Sequence, residues 1–191
     1  MRGLGLACAG ALLATSAAAA APSPDLAPRD EPGGRFVIEG RVLGADGAPL
    51  AGVSLYAYHA DGKGWYALTR DAPYPRVAGV LRTDARGRYR VRSVLPGMYE
   101  GPPHVHFEAW GPDLPASSWF VNLYMGPDEK SDPAWGRMAA VRRLMIDPAR
   151  PETFVHRDGR GVFHARYDLR WDRAFRMPAH FDSLRRGLIE R

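Results

Sequence analysis

The stretch RTDARGRYRVRSVL, Arg82 to Leu95, sets the tightest limit on what this chain can fold into. Behind the turn-forming Asp84-Ala85-Arg86-Gly87, the residues Tyr89, Val91 and Ser93 alternate with Arg88, Arg90 and Arg92. A period of two sends the arginines to one side and the other three to the opposite side, which predicts a strand with one buried and one wet face. The same pattern recurs along the chain. RFVIEGRVL (35–43) and VSLYAYHA (53–60) are β-branched and aromatic runs. The segment between them, GADGAPLAG, carries the Asp-Gly and Gly-Ala-Pro steps of turns, so the three read as a strand, turn, strand unit. HVHFEAW, WFVNLYM and GVFHARYDLRW read as later strands, PAWGRMAAVRRLM (133–145) as a helix and FDSLRRGLIER (181–191) as a second. Many short strands, Gly and Pro turns and few helices predict an all-β protein, a β-sandwich with one or two short helices.

The N-terminus reads differently. Residues 1–21 begin with Arg2, continue in an apolar run from Leu4 to Leu13, and end in small residues that offer an Ala-x-Ala cleavage site near Ala19 to Ala21. This is the pattern of a secretory signal peptide, too short for the roughly 20 apolar residues that span a bilayer, and it predicts a periplasmic or secreted protein with no membrane span. Residues 22–34, PSPDLAPRDEPGG, lack periodicity and read as a flexible arm, leaving 35–191 as a single domain. Cys8 is the only cysteine and falls within the leader, so a metal site in the domain must be built from His, Tyr, Asp or Glu. The formal charge of +5 is spread largely over scattered arginines, and VRRL and LRRG are short enough to be solvated helix faces. That composition argues against a nucleic-acid partner.

Chemistry concentrates in PGMYEGPPHVHFEAW, Pro96 to Trp110. On a strand, His104 and His106 face one way while Val105 and Phe107 face the other, so both imidazoles can reach one ion. The prolines before them stiffen the chain where it enters the strand. An isolated His-x-His is also compatible with two hydrogen-bonded structural histidines.

Several segments in order resemble the intradiol ring-cleavage dioxygenases, the family of the protocatechuate and catechol dioxygenases. They are GRVLGADGAPLAGVSLYAYHADGKGWY, RTDARGRYRVRSVLPGMY, PPHVHF and LYMGPDE, spanning about Val37 to Gly126. The resemblance implies the family's β-sandwich core and a non-haem Fe(III) cofactor held by two tyrosines and two histidines. Position by position, it carries these roles to Tyr66, Tyr99, His104 and His106. A phenolate is a hard anionic donor suited to Fe(III), and a bound metal holds a tyrosine ionised far below its free pKa near 10. The implied reaction opens a catechol-type ring between its two hydroxylated carbons with dioxygen, Tyr66 being the ligand that dissociates and Tyr99 the one that stays. Tyr74 competes with Tyr66 for its place. Substrates of this kind are small aromatic diols, and many members of such a family would form homo-oligomers.

The chain also departs from the family. Gly101 stands where an arginine usually precedes the first histidine, with Arg70, Arg76 and Arg82 as candidates to replace its charge. The segment between Tyr99 and His104 is short, and Asn122 falls near a position often occupied by glutamine. The competing reading is an exported, non-enzymatic sandwich of the transthyretin-like or carboxypeptidase-regulatory-like kind, in which Tyr99 packs on the core. A cupin fits poorly, because Glu108 follows His106 by only two residues.

Overall fold

The computed structural model describes residues 23–66, 75–98, 101–111, 114–125 and 153–176. Ten strands make up nearly all of it: β1 (Arg35–Leu43), β2 (Ser54–His59), β3 (Val77–Arg82), β4 (Arg88–Val94), β5 (His104–Gly111), β6 (Leu114–Met125), β7 (Thr153–Arg157), β8 (Phe163–Arg166), β9 (Leu169–Arg170) and β10 (Phe175–Arg176). They hydrogen-bond in the order β3-β2-β5-β6-β7-β8-β1-β4, with β9 added to β1 and β10 to β6. β6 joins two halves: up to Asn122 it pairs antiparallel with β5, and from Leu123 to Met125 it pairs parallel with β7. The inward residues of β2, β5 and β6, such as Leu55, Phe107 and Leu123, share one core with Phe36, Ile38, Tyr89 and Val91 of β1 and β4. Ring centroids of Tyr89 and Phe107 lie 5.2 Å apart across it. The predicted β-sandwich is therefore the fold, and the alternation in β4 buries Tyr89, Val91 and Ser93 while exposing Arg90 and Arg92.

The predicted strand, turn, strand unit is present but is not a hairpin. β1 pairs with β4 and β8, whereas β2 pairs with β3 and β5, so the turn between β1 and β2 crosses from one layer to the other. The turn between β3 and β4 crosses back. Thr83 fastens both crossings, accepting the Val53 amide at 2.9 Å and donating to the Leu50 carbonyl at 2.7 Å. β7 was not apparent from the sequence, because five residues with only Thr153 and Val155 inward are too few to show a period. Among the described residues no helix is long and apolar enough to cross a membrane. The helices expected at 133–145 and 181–191, and the leader, lie outside the described residues.

The arm expected to be flexible is fastened over the residues described. Leu26 is buried, its amide donates to Arg92 O at 2.9 Å, and Arg92 N donates to Pro24 O at 3.0 Å. β4 is the last strand of its layer, and the arm supplies partners to an edge that would otherwise present unpaired backbone groups.

Tyr89 joins the layers chemically as well as by packing. Burial holds its hydroxyl firmly protonated, and that hydroxyl donates to Tyr167 O at 2.6 Å. Replacing it, Tyr89→Phe, is expected to cost about 1 to 2 kcal/mol in urea unfolding. An unchanged midpoint would show that this bond contributes nothing net.

Candidate metal centre

β5 lies between β2 and β6, and this placement builds the site. Tyr58 of β2 and Phe120 of β6 both stand opposite His106, and Asn122 of β6 stands opposite His104. Val105 and Phe107 point into the core and are fully buried, so the two histidines project together from the outer face, as the spacing predicts. Aromatic walls hold both rings. His104 stacks on Phe120 at 4.1 Å between centroids, and His106 lies nearly parallel to Tyr58 at 4.5 Å with an interplanar angle of 4°. Tyr58 in turn donates its hydroxyl to the buried Glu108, one step further along the same face, at 3.2 Å.

Tyr66 arrives on the loop that follows β2. Asp61 organises this loop through its carboxylate: Oδ1 accepts the amides of Lys63 and Trp65, each at 2.9 Å. Burial pushes the Asp61 carboxyl up, but hydrogen bonds from those two amides and from Arg76 outweigh it and hold the group below the usual carboxylate range. Gly64 has φ of +89°, and a Cβ there would fall on the carbonyl of Met98. Glycine is required both for the turn and for the close approach. Gly97 N also donates to Asp61 O at 2.8 Å, so the Tyr66 loop rests against the chain leaving β4. His59 ties the same two strands from the core side. Its Nδ1–H can only donate to the Ala60 carbonyl, at 2.6 Å, and Nε2 accordingly accepts from Ser93 Oγ at 2.7 Å.

The Tyr66 hydroxyl oxygen sits between the two imidazoles, 2.7 Å from His104 Nε2 and 3.0 Å from His106 Nε2. The proton positions follow from the partners. His104 Nδ1–H donates to Pro102 O at 2.8 Å, which leaves its Nε2 as an acceptor for the Tyr66 proton. His106 Nε2–H then donates to the Tyr66 oxygen. Burial lowers the pKa of both imidazoles, that of His106 to about 4 with help from neighbouring His104 and His59. Both are neutral at neutral pH, the form in which imidazole binds metal.

Three of the four predicted ligands thus meet at one point. Tyr99, the fourth, and Tyr74 lie outside the described residues, which include Met98 and Gly101 on either side of the Tyr99 segment. Among the described residues no three His, Cys, Asp or Glu side chains gather into a metal site, so a centre here depends on the tyrosine oxygen. The set fits a hard trivalent ion: one phenol and two neutral imidazoles, one of them oriented by a backbone carbonyl in the manner of metal-ligating histidines. Beside it, the Asn122 Oδ1 atom is buried without a hydrogen-bond partner among the described residues, an acceptor in the site wall that a bound hydroxyl or water would satisfy.

Neither of the two described candidates replaces the arginine absent at Gly101. Arg76 is held by Glu31 and Asp61, Arg82 donates to the Gly52 carbonyl at the far end of β2 and β3, and Arg70 is outside the described residues. Sequence reading passed over Tyr58 and Phe120, whose roles come from cross-strand register. The alternation of Tyr56 and Tyr58 on one face of β2 was the available signal. His156 and His164 stack on each other at 5.4 Å on β7 and β8, away from this face.

The described residues thus form a β-sandwich in which two strand histidines and a loop phenol converge on one point. The family model described as Dioxygenase matches residues 11–112, more than half of the chain. The chain is 36% identical over 143 residues to catechol 1,2-dioxygenase 2 of Acinetobacter lwoffii, covering 62% of this chain and 52% of that one. It is 36% identical over 110 residues to the protocatechuate 3,4-dioxygenase beta chain of Burkholderia cepacia, covering 50% and 46%. It thus spans about half the length of these curated relatives. In fold it is similar to the dioxygenase domain of a dioxygenase carbohydrate-binding protein fusion from Streptomyces sp. SirexAA-E, with TM-score 0.56, 23% identity, and 84% and 94% of the two chains covered. It is also similar to 3-chlorocatechol 1,2-dioxygenase of Rhodococcus opacus 1CP, with TM-score 0.58, 20% identity, and 79% and 66% covered. The chain belongs to the intradiol ring-cleavage dioxygenase family.

The buried imidazoles make stability depend on pH. His59 has its pKa lowered by burial from 6.5 to about 4, so between those values the unfolded chain takes up a proton that the folded one refuses. Stability is expected to fall as pH drops from 6.5 towards 4. In His59→Asn about 3 kcal/mol of that loss should disappear, measured as a flatter dependence of the urea midpoint on pH. An equally steep dependence in the variant would mean that His59 is not the group responsible.

Proposed function

We propose that this protein is a non-haem Fe(III) enzyme that opens the ring of a catechol-type aromatic between its two hydroxylated carbons with dioxygen. The observation that carries this reading is the Tyr66 oxygen placed within hydrogen-bond reach of both His104 Nε2 and His106 Nε2. The ligand set is Tyr66, Tyr99, His104 and His106. Fe(III) held there would act as a Lewis acid and draw electron density from a chelated aromatic ring. The protein residues handle orientation and protons. Tyr66 exchanges hydrogen bonds with both imidazoles, and with its phenol ionised on holding the ion its oxygen would take the proton of a substrate hydroxyl, while Tyr99 would remain a ligand. Phe120 and Tyr58 fix the imidazole planes and keep water from their faces, and Asn122 Oδ1 accepts a hydrogen bond from the incoming diol.

The glycine at position 101 leaves the attacked ring without a cation from that position. The leader-like residues 1–21 support a periplasmic or secreted location. A purely structural sandwich module gives no reason for a tyrosine and two neutral histidines to converge on its outer face.

The test is a visible absorption spectrum with metal analysis on the same sample. Stoichiometric iron and a broad phenolate-to-iron band that shifts on adding catechol are expected. His104→Ala should lower activity beyond the roughly 10–100-fold typical of losing a partner outside the ligand set. Tyr99→Phe should alter the band, and an unchanged spectrum would remove Tyr99 from the site. A protein that stays colourless after reconstitution with iron would return the chain to the binding-module reading.

A further inference from the structure

The N-terminal arm reaches further than the β4 edge it covers. Beyond Leu26 it turns at Pro28, whose carbonyl accepts the Glu31 amide at 3.0 Å, and then runs over the loop that carries Tyr66. A Cβ on Gly62 would come within 2.9 Å of the Pro32 carbonyl oxygen, so arm and loop are in direct backbone contact. The Glu31 side chain, 3% exposed, pairs with the Arg76 guanidinium, whose Nη2 also reaches Asp61 Oδ2 at 2.9 Å. Asp61 uses its other oxygen for the Lys63 and Trp65 amides. The Arg76 amide donates to the carbonyl of Tyr66 itself, at 2.7 Å.

The loop has little apolar packing to hold it otherwise. Trp65 is 63% exposed, and a cavity of about 570 Å3 opens where arm and loop meet, lined by Glu31, Lys63, Trp65 and Arg76 among others. A segment with few buried apolar contacts keeps its position through its polar ties. Besides the Gly97 amide bonded to Asp61 O and the Tyr66 hydroxyl bonded to the imidazoles, these ties include one guanidinium shared by two carboxylates, and one of the two belongs to the arm.

We propose that Glu31 is a positioning residue for Tyr66, acting through Arg76 and Asp61, and that the N-terminal arm is a strap holding the phenol oxygen in register with His104 and His106. The role assigned to the phenol rests on the metal-ligand reading above. Arginine suits the central place because its planar fork can serve two carboxylates at once, which a lysine ammonium does less well. Asp30 lines the same cavity but takes no part in the relay.

Hydrogen exchange on the full chain without iron tests the mechanical part. In Glu31→Gln the amides of Lys63, Gly64 and Trp65 should exchange about tenfold faster, while those of β5 stay as in the wild type. Asp30→Asn should change neither. Should Glu31→Gln fold poorly, Arg76→Lys keeps the charge and should loosen the same amides. Iron release to a chelator tests the link to the ligand: Glu31→Gln should speed it about tenfold in the wild type and add nothing in a Tyr66→Phe background. Unaltered loop exchange, or equal acceleration of release in both backgrounds, would overturn the proposal. If the wild type takes up no iron, the metal reading fails while the exchange comparison still decides whether the strap holds the loop.

Discussion

The antiparallel pairing of β5 between β2 and β6 is the interaction on which the rest depends. It places Val105 and Phe107 in the core shared by both layers, and the same alternation leaves His104 and His106 on the outer face. A slip of one residue in either pairing would bury the imidazoles and expose the apolar side chains, so the hydrophobic core enforces the register of the site. The walls that hold the histidines, Tyr58 and Phe120, follow from that register without any further device. Packing energy is thereby converted into ligand geometry.

The second constraint is the junction of two loops. Gly64 and Gly97 let the Tyr66 loop and the chain leaving β4 approach more closely than any side chain would permit. His59 and Ser93 reinforce the junction from inside. The two segments that bear the predicted tyrosine ligands therefore leave neighbouring places in the fold, although β2 and β4 belong to different layers. The electrostatics agree with this design. Neutral buried imidazoles surround the phenol, and the charged groups nearest the loop, Asp61, Arg76 and Glu31, are spent on one another instead of facing the ligand set. The resemblance to the intradiol dioxygenases covers the strands that build this junction, and within the same span the chain departs at Gly101 and in the short segment after Tyr99.

Much of this was readable in the residue string because strand periodicity is local. The alternation around Tyr89, the shared face of His104 and His106, and the turn at Asp84 each involve a few adjacent residues, and a period of two survives in any sheet. Three things could not be seen this way. β1 and β2 look like a hairpin but separate into different layers, since their partners lie distant in sequence. The arm looks like a linker because its composition is polar, yet one leucine and one glutamate fasten it. Arg76 looks like a spare cation until Glu31 and Asp61 claim it.

By itself, then, the sequence determined an all-β chain, the faces of its strands and the donor types available for a metal, because these depend on neighbours along the backbone. Only the tertiary structure decided which residues stand across from the histidines, where the guanidinium of Arg76 goes, and that the arm closes over the Tyr66 loop. Those outcomes depend on pairings between segments tens of residues apart, which the core selects by packing and which no local pattern records.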